Sequence, residues 1–411
     1  MYFLYDLAIY FSWLLLQFIA VFNSKIRQFV QGRKGVISYL KTHRDLSRPL
    51  IWMHTASLGE FEQGLPVLKR LHAAFPDHQI LVTFFSPSGY EVKKTSLDPH
   101  LVTYLPMDTR RNAKHFLHTV KPDIALFVKY EVWPQIFREM QQEGIAILLL
   151  SALFRPRQAY FKWFGGFLRK ALKRVSHFYV QDNASKELLA SIGIRQVEIS
   201  GDTRFDRVLE ILESPRELDF MERFRGSRTC LVAGSSWPED HQIMVPWIDN
   251  MGEACLVIAP HKVDSKTLED LQSQLKKRAV RYSEIESVDL QQYDVLIIDT
   301  IGLLTQAYRY ADIAYVGGGF ATGLHNTLEP AVYGIPVLIG PDYHDFREAE
   351  ELVRAGGIQV VANSQEFQNR VTQLLQSTEE RRRMGSINTA YIHENMGASD
   401  KILEGAQRLL R

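Results

Sequence analysis

Short apolar runs alternate with helical patterns along most of this 411-residue chain. Strands that alternate with helices predict parallel sheets joined by right-handed crossovers, because such connections bury one face of each helix on the sheet. We expect strands at 50–53, 80–85, 102–104, 124–128, 146–150 and 177–180, and again at 230–233, 254–258, 295–298, 313–316 and 336–339. The expected helices include 61–74, 134–143, 266–277, 302–309 and 344–355.

The chain is long enough for two or three domains that each bury a core. A polar, proline-containing segment at 206–215 separates two halves of similar pattern and predicts a domain boundary. We therefore expect two doubly wound α/β domains with a cleft between them, where ligands bind at the carboxyl ends of strands. The expected parts are an N-terminal helix at 1–24, domains at 25–207 and 208–385, and a C-terminal helix at 386–411 that crosses back to the first domain.

Charge and motif content exclude several function classes. With 48 basic and 47 acidic residues, no overall field favours nucleic acid as a partner. The two cysteines, Cys230 and Cys255, lie in apolar runs and are expected to be buried core residues. No Asp-x-Asp, P-loop, HExxH or CxxC motif occurs, which disfavours metal-dependent sugar transfer of the Asp-x-Asp type, P-loop phosphoryl transfer and zinc chemistry. We expect neither a metal nor a cofactor.

The N-terminus contains an apolar run at 7–22 that only Ser12 and Gln17 interrupt. This run is shorter than the roughly 20 residues that span a bilayer. The basic residues that follow it predict a cytoplasmic location for that flank. No basic region precedes the run and no small-residue cleavage site follows it, so a cleaved signal peptide is not expected. We predict a membrane anchor that either spans the bilayer or lies in the interface. The alternative is a buried helix of the first domain.

Residues 316–341 combine an apolar run, three consecutive glycines, a polar cluster and a short helical pattern. Glycines allow a backbone to approach a ligand closely. The amides of a helix that begins near Thr327 favour an anion. Glu329 lies in its first turn, where a carboxylate can accept hydrogen bonds from a sugar diol. The segment is typical of a nucleotide-sugar site, although glycine-rich strand–loop–helix turns also occur for packing alone.

Two glutamates follow strands of the first half. Glu60 comes after the strand at 50–53, and Glu131 after the strand at 124–128. A carboxylate at a strand end can take the proton from an attacking hydroxyl, and a second one can hold a sugar. The alternative for Glu60 is a capping box with Ser57 as the N-cap. The alternative for Glu131 is a favourable interaction with a helix dipole.

Strand ends of the second half carry further polar residues. Ser235 and Ser236 follow the strand at 230–233, where small residues before a helix suit phosphate contacts through backbone amides. Pro260, His261 and Lys262 end the next strand and offer basic or base-edge contacts. Together with 316–341 these residues occupy successive strand ends of one predicted sheet, as a nucleotide pocket requires.

Residues 154–174 contain seven basic and six aromatic residues and no acid. The pattern indicates an interfacial amphipathic helix on anionic lipid, or a segment that grips a phosphorylated acceptor. Single-stranded nucleic acid and a solvated basic face are alternatives. The apolar N-terminus favours the membrane interpretation. The candidate acceptor or membrane contacts are Arg155, Arg157, Lys162, Trp163 and Arg169.

With these residues assembled, the chain resembles the 3-deoxy-D-manno-octulosonic acid (Kdo) transferase family over nearly its whole length. The resemblance rests on the N-terminal anchor and on 57–60, 130–134, 180–181, 201–206, 233–236, 299–302 and 317–331. It implies a GT-B fold, which is two Rossmann-like doubly wound domains facing a central cleft. It further implies CMP-Kdo as donor, a lipid A precursor as acceptor, inversion at the anomeric carbon and no metal in catalysis. The expected location is the inner membrane, with the catalytic domains on its cytoplasmic side.

The resemblance also assigns residue roles. Glu60 is the expected general base and Glu131 a second acid of the active site. The expected donor contacts are Ser235, Ser236, Pro260, His261, Lys262, Gly318, Gly319, Asn326, Thr327 and Glu329, with Glu329 on the ribose. This chain has Pro260-His261-Lys262 where the family usually has Pro-Arg-His, and its loop at 321–324 is one residue shorter than the family pattern.

Two other functions are consistent with the same sequence. One is a GT-B enzyme that uses a UDP-sugar, as a transferase or an epimerase. The other is a membrane-attached lipid-binding protein whose sugar site has decayed. Competition by CMP against UDP separates the first from a Kdo transferase, and the presence of Glu60, Glu131 and Glu329 argues against the second.

Overall fold

A computed structural model describes residues 1–97, 100–213, 216–321 and 323–410. The chain divides into two compact units, with Met1–Arg207 and Met396–Arg411 in unit 1 and Val208–Asn395 in unit 2. The predicted boundary at 206–215 contains Ser214 and Pro215, and the predicted short loop at 321–324 contains Thr322. These three residues lie outside the described ranges.

Each unit contains one seven-stranded parallel sheet. The strands are β1 (Leu50–Thr55), β2 (Gln79–Phe84), β3 (Leu101–Tyr104), β4 (Ile124–Val128), β5 (Ala146–Ala152), β6 (His177–Val180), β7 (Val197–Ile199), β8 (Cys230–Ser236), β9 (Cys255–Pro260), β10 (Ala279–Arg281), β11 (Val295–Ile297), β12 (Ile313–Val316), β13 (Val337–Ile339) and β14 (Ile358–Val360). The strand orders are β3-β2-β1-β4-β5-β6-β7 in unit 1 and β10-β11-β9-β8-β12-β13-β14 in unit 2. The predicted α/β class, with one doubly wound sheet in each half, is confirmed.

Helices connect the strands and cover the sheets. They are α1 (Tyr2–Ile19), α2 (Ser24–Gly32), α3 (Val36–His43), α4 (Leu58–Ala74), α5 (Pro87–Lys93), α6 (Arg110–Val120), α7 (Pro134–Gln142), α8 (Gly166–Leu172), α9 (Asn183–Ser191), α10 (Thr203–Glu213), α11 (Asp219–Arg225), α12 (Pro238–Ile248), α13 (Ser265–Ser273), α14 (Leu304–Ala307), α15 (Leu328–Ala331), α16 (Arg347–Ala355), α17 (Ser364–Gln376), α18 (Thr378–Asn395) and α19 (Ala398–Leu410). Short 3-10 turns lie at Ala159–Phe161, Tyr282–Ser287, Leu290–Gln292 and Tyr308–Tyr310.

The central strands form because their residues are apolar on both faces. Every residue of β1 is buried. Leu50 and Trp52 belong to the core on one face of the sheet, and Ile51 and Met53 to the core on the other. A parallel sheet covered on both faces requires such a continuous apolar run. This run also explains why β1 is visible in the sequence.

Three strands, β7, β10 and β14, were not predicted. Each has three residues and lies at an edge of its sheet. Their sequences are VEI, AVR and IQV. Each contains one polar residue, and each strand is only partly buried. An edge strand has one neighbour, so it needs no long apolar run, and its sequence signal is correspondingly weak.

The interpretation of 154–174 as one amphipathic helix is wrong. The structure has a 3-10 turn at Ala159–Phe161 and a separate helix, α8. Gly165 lies between them, and a Cβ placed there would be 1.9 Å from the carbonyl oxygen of Ala159. The chain therefore folds tightly back on itself at this glycine, which a continuous helix does not permit.

The C-terminal residues also differ from the prediction, because 386–411 is not one helix. The α18 helix ends at Asn395 in unit 2, and α19 begins at Ala398 and packs against α4 in unit 1. Buried Asp206 accepts hydrogen bonds from the backbone N–H groups of Gly397 (2.6 Å) and Ser399 (2.7 Å) at the start of α19. The Asp206 carboxylate therefore caps α19, which gives this acidic residue of the segment 201–206 a structural role.

Candidate active site

In unit 1 the strand order reverses between β1 and β4, which lie side by side with Ile51 opposite Ile124 and His54 opposite Phe127. The carboxyl ends of parallel strands at such a reversal form the usual ligand-binding crevice of doubly wound sheets. Glu60 follows β1 and Glu131 follows β4. The structure thus brings the two predicted glutamates to the same end of two neighbouring strands.

Glu60 is a half-buried carboxylate in the first turn of α4. Burial, and then the negative charge of Glu131, raise its pKa above the usual range, while Lys129 opposes this shift. Ser57 Oγ lies 3.2 Å from Glu60 Oε2 and donates to it, so the Ser57 side chain does not cap the helix. The capping box is therefore not formed, and Glu60 is a carboxylate with raised proton affinity.

In unit 2 the strand order reverses between β8 and β12, with β9 on the other side of β8. The segments after these strands carry the predicted donor contacts. The strand β8 extends to Ser236, farther than predicted, and Ser235 adopts a left-handed backbone with φ of 52°. Ser236 is buried, and its Oγ lies 2.9 Å from Nε2 of His241. Its side chain is therefore directed into the unit.

Asp240 connects the segments after β8 and β12. This buried carboxylate accepts hydrogen bonds from the backbone of Trp237 (2.8 Å), the backbone of Gly318 (3.0 Å) and the hydroxyl of Tyr315 (2.5 Å). Burial raises its pKa, although these donors favour the ionised form. Asp240 fixes both candidate loops, and the sequence contained no signal for this role.

The three consecutive glycines have reasons in packing. A Cβ at Gly317 would lie 2.5 Å from the carbonyl oxygen of Ser235, and one at Gly319 would lie 2.8 Å from Cα of Gly340. Gly318 has a φ of 97°, which side chains rarely adopt. The space in front of these glycines is thus filled by the protein itself. From the sequence we attribute these glycines to ligand approach and name packing as the alternative, and the structure gives a packing reason for each of them.

Three rings form an aromatic surface at the same end of the unit 2 sheet. The rings of Trp237 and His325 are nearly coplanar, 12° apart, and Trp237 Nε1 donates to His325 Nε2 over 3.0 Å. The ring of His261 stacks on both, with centroids 4.5 Å from Trp237 and 4.6 Å from His325. Burial, then the neighbouring His261, lowers the pKa of His325 to about 4. The low pKa keeps the His325 ring neutral, so its Nε2 can accept the hydrogen bond from Trp237 Nε1.

Lys262 and Pro260 flank this surface. The Lys262 ammonium lies 5.1 Å from the ring centroid of Trp237 in a cation–π arrangement. Burial and then the charge of Lys262 lower the pKa of His261. Pro260 is buried at the end of β9. Of these rings, only His261 had been chosen as a site residue from the sequence. Trp237 and His325 were missed, although His325 lies within the segment 317–331 that carries the resemblance and Trp237 directly follows the segment 233–236.

Glu329 is held by two neighbours. Its Oε1 accepts from Asn326 Nδ2 (3.1 Å) and its Oε2 accepts from Thr305 Oγ1 (2.9 Å). The predicted helix at this point is a single turn, α15, so it provides little of the expected dipole. Thr327 precedes α15 and is buried, and its Oγ1 has no hydrogen-bond partner within the described part of the chain.

The helix α1 is the one helix, within the described ranges, that is long and apolar enough for a membrane span by length and composition. It has no buried residues, so the alternative of a buried helix is wrong. Polar contacts tie its first turns to unit 1: Tyr5 donates to Asp108 Oδ2 (2.8 Å), and Asp6 Oδ1 accepts from Gln135 Nε2 (2.7 Å).

The basic and aromatic segment packs against the same helix. The ring of Phe167 in α8 lies 4.9 Å from the ring of Tyr2 in α1. Trp163 is 91% exposed, and Lys162 and Arg157 are exposed as well, whereas Arg155 is half-buried. Arg169 differs from these predicted contacts, because its guanidinium donates to the carbonyl groups of Tyr160 (3.1 Å) and Lys162 (2.8 Å). That side chain holds the loop together.

Two further predictions concern cysteines and metals. Cys230 and Cys255 are buried, free and opposite each other on β8 and β9, which confirms that they are core residues. Within the described residues no group of three or more His, Cys, Asp or Glu side chains has the arrangement of a metal site.

The architecture defines the class of the protein. UDP-GlcNAc 2-epimerase from Neisseria meningitidis has the same fold, with a TM-score of 0.63, 17% identity, and coverage of 87% of this chain and all of that one. MurG from Acinetobacter baumannii matches with a TM-score of 0.52 and 13% identity, and the match covers 88% of this chain and 99% of that one. Two parallel sheets of this kind in one chain define the GT-B fold, which confirms the predicted fold class.

The sequence matches then give the family. Residues 29–207 match the family described as 3-deoxy-D-manno-octulosonic-acid transferase (kdotransferase). A curated 3-deoxy-D-manno-octulosonic acid transferase from Chlamydophila psittaci is 27% identical over 427 aligned residues, which cover 99% of this chain and 96% of the relative. The chain is thus related to the Kdo transferases over both of its units. The resemblance inferred from its motifs is confirmed, and its enzyme class is glycosyltransferase.

Proposed function

We propose that this protein transfers Kdo from CMP-Kdo to a hydroxyl of a lipid A precursor, at the cytoplasmic side of the inner membrane, in lipopolysaccharide biosynthesis. The observation that carries the proposal is the half-buried carboxylate of Glu60, with its raised pKa, beside Glu131 at the strand-order reversal of unit 1. This is the usual ligand-binding end of a doubly wound sheet. The chain is also related to Kdo transferases over 99% of its length.

The proposed reaction is a direct displacement with inversion. The hydroxyl oxygen of the acceptor forms a bond to the anomeric carbon of Kdo, and its proton moves to the Glu60 carboxylate. The bond between the anomeric carbon and the phosphate oxygen of CMP breaks, and CMP leaves with the electron pair. A positioned base contributes typically about 10²–10⁴-fold to such a rate. We propose the step without a metal ion, because the sequence has no Asp-x-Asp pair of the kind that binds one in sugar transfer.

We assign donor binding to the strand ends of unit 2. In this assignment Glu329 accepts hydrogen bonds from the ribose hydroxyls, exchanging its contacts with Thr305 and Asn326. Backbone groups near Ser235, Gly318, Gly319 and Thr327 contact the phosphate or the base. Lys262 lies one position after the place of the family's arginine, which His261 occupies in this chain. In this assignment the Lys262 ammonium supplies positive charge toward the leaving phosphate. The arrangement of Glu329 between two exchangeable donors supports this assignment.

We assign the membrane surface to α1 together with the segment around Trp163. The exposed side chains of Phe11 (69%) and Leu14 (65%) in α1 support this assignment, as does Trp163. Aromatic and basic side chains at an interface stabilise contact with anionic lipid. Arg157 and Lys162 then face lipid phosphates or the phosphates of the acceptor.

The test uses the full chain in detergent with CMP-Kdo and a lipid A precursor, and reads products by mass. We expect the acceptor mass to rise by one Kdo residue for each transfer, and CMP to inhibit more strongly than UDP. Turnover of a UDP-sugar without any turnover of CMP-Kdo would replace the proposal with the UDP-sugar alternative. Vesicle binding without turnover of either donor would favour the decayed lipid-binding protein.

A further inference from the structure

His54 is a wholly buried histidine at the end of β1 that the proposed reaction does not use. Its Nδ1 lies 2.8 Å from Oγ1 of Thr83, and its Nε2 lies 3.7 Å from Oε2 of Glu131. The ring packs edge-to-face against Trp133 with centroids 5.6 Å apart. Its Nε2 has no hydrogen-bond partner within the described residues, so a buried polar atom is directed at an active-site carboxylate.

The neighbours of Thr83 define which nitrogen of His54 carries the proton. Trp52 Nε1 can only donate, and it donates to Thr83 Oγ1 over 2.8 Å. The hydroxyl hydrogen of buried Thr83 then goes to Nδ1 of His54, because this arrangement satisfies all three groups. The proton of the neutral imidazole is therefore assigned to Nε2, the nitrogen that faces Glu131.

We propose that His54 is a positioning residue that holds the Glu131 carboxylate beside Glu60 through its Nε2–H. This inference rests on the proposed role of Glu60 as the base. The separation of 3.7 Å is longer than a hydrogen bond, so the proposal requires the half-buried Glu131 side chain to rotate toward His54. His54 itself is fixed by Thr83 and by the packing of its ring, so it acts as a rigid donor for a carboxylate on a loop.

The consequence concerns the proton affinity of Glu60. The charged groups that act on Glu60 are Glu131, which raises its pKa, and Lys129, which lowers it. A donor at His54 keeps the Glu131 carboxylate close to Glu60, so it maintains the repulsion that makes Glu60 a stronger base. Without that donor we expect the Glu131 carboxylate to move away from Glu60, which reduces the repulsion.

The direct test is an NMR titration of the Glu60 carboxyl carbon in the full chain, with Glu60→Gln used to assign the signal. We expect His54→Leu to lower the pKa of Glu60. A control with the same substitution, His72→Leu, affects a histidine of α4 whose ring contacts His100, and we expect it to leave that pKa unchanged. An unchanged pKa in His54→Leu would overturn the proposal. A raised pKa would also overturn it, since it would mean that His54 acts as a cation.

Kinetics give a second readout that simple damage to the fold does not produce. We expect His54→Leu to lower kcat by about 10- to 100-fold, the effect of one hydrogen bond to a charged group, with little change in the KM for CMP-Kdo. The acidic limb of the pH–rate profile should move to lower pH. His54→Gln, which retains a donor nitrogen, should recover part of both. A uniform loss with an unmoved limb would contradict a positioning role.

The two proposals fail in different ways. If the wild-type chain transfers no Kdo, the proposed function fails, while the NMR titration still measures whether His54 controls the Glu60 pKa. If the wild-type chain transfers Kdo and the titration shows no effect of His54→Leu, only the positioning role is lost.

Discussion

The contrast between Glu60 and Glu62 shows how surroundings determine the pKa of a candidate base. Both carboxylates lie in the first two turns of α4. Burial acts to raise the pKa of Glu62 as well, but Arg207 and Lys93 outweigh it and the pKa is lowered. No ion pair to Glu60 occurs among the described residues, and burial together with the charge of Glu131 outweighs the effect of Lys129, so its pKa is raised. The pKa values of two glutamates two residues apart are therefore shifted in opposite directions. Of the two, only Glu60 suits proton transfer near neutral pH.

The first prediction concerns pH dependence. The base must be ionised, so activity falls as the pH decreases through the pKa of Glu60. Because this pKa is raised, the fall occurs at higher pH than for an ordinary glutamate. Glu131→Gln removes the repulsion but not the burial, so we expect the acidic limb of kcat/KM to move to lower pH. The measurement is the pH–rate profile of both proteins. A limb that stays in place would show that another group titrates.

Among the larger elements, the loops after β8, β12 and β13 are packed against one another through backbone atoms. Gly319 and Gly340 approach so closely that a Cβ on either would lie under 3 Å from the other residue. Asp240 adds hydrogen bonds from Trp237 and Gly318. The candidate donor site is thus built on loops whose positions depend on each other.

We therefore predict that Gly340→Ala destabilises unit 2 and weakens CMP binding. Forcing an extra methyl into a packed region costs typically about 1–3 kcal/mol. Gly252→Ala is the control, because a Cβ there meets nothing within 4 Å. Urea unfolding and calorimetric titration with CMP measure the two effects. Equal stability and CMP affinity in both variants would contradict the packing explanation.

How much the sequence predicts depends on the range of the interactions. The buried strands β1 and β4 were predicted because their apolar runs are continuous, and Glu60 and Glu131 follow directly from them. The pairing of Trp237 with His325 joins residues 88 positions apart, and Asp240 bonds to Tyr315 over 75 positions. Such contacts depend on the strand order, which no local pattern encodes. The helix interpretation of 154–174 was wrong because composition indicates amphipathicity but not the tight turn at Gly165.

The whole chain combines an exposed apolar helix with two α/β units. The first turns of α1 are tied to unit 1 through Tyr5 and Asp6, while its later apolar side chains, such as Phe18, are exposed. Exposed apolar surface of this extent typically marks contact with a membrane or a partner. We expect the membrane to be what covers it.

The corresponding prediction concerns vesicle binding. The full chain should float with anionic phospholipid vesicles, and the double variant Phe11→Glu with Leu14→Glu should lose most of this binding, because a charge in the bilayer costs roughly 2.5 kcal/mol or more. The control is Ile301→Glu, which changes a side chain of unit 2 that is 78% exposed. Equal flotation of all three proteins would exclude α1 as the membrane contact.

The most direct test of the account compares Glu60→Gln with Glu62→Gln in the Kdo transfer assay, with CMP affinity measured on the same samples. Because the pKa of Glu60 is raised in the folded chain, its ionised form costs stability above that pKa, so Glu60→Gln should fold at least as stably as wild type at neutral pH. We predict a loss of kcat of about 10²–10⁴-fold for Glu60→Gln alone, with CMP affinity unchanged. Transfer by Glu60→Gln at nearly the wild-type rate would contradict the central claim that Glu60 is the base.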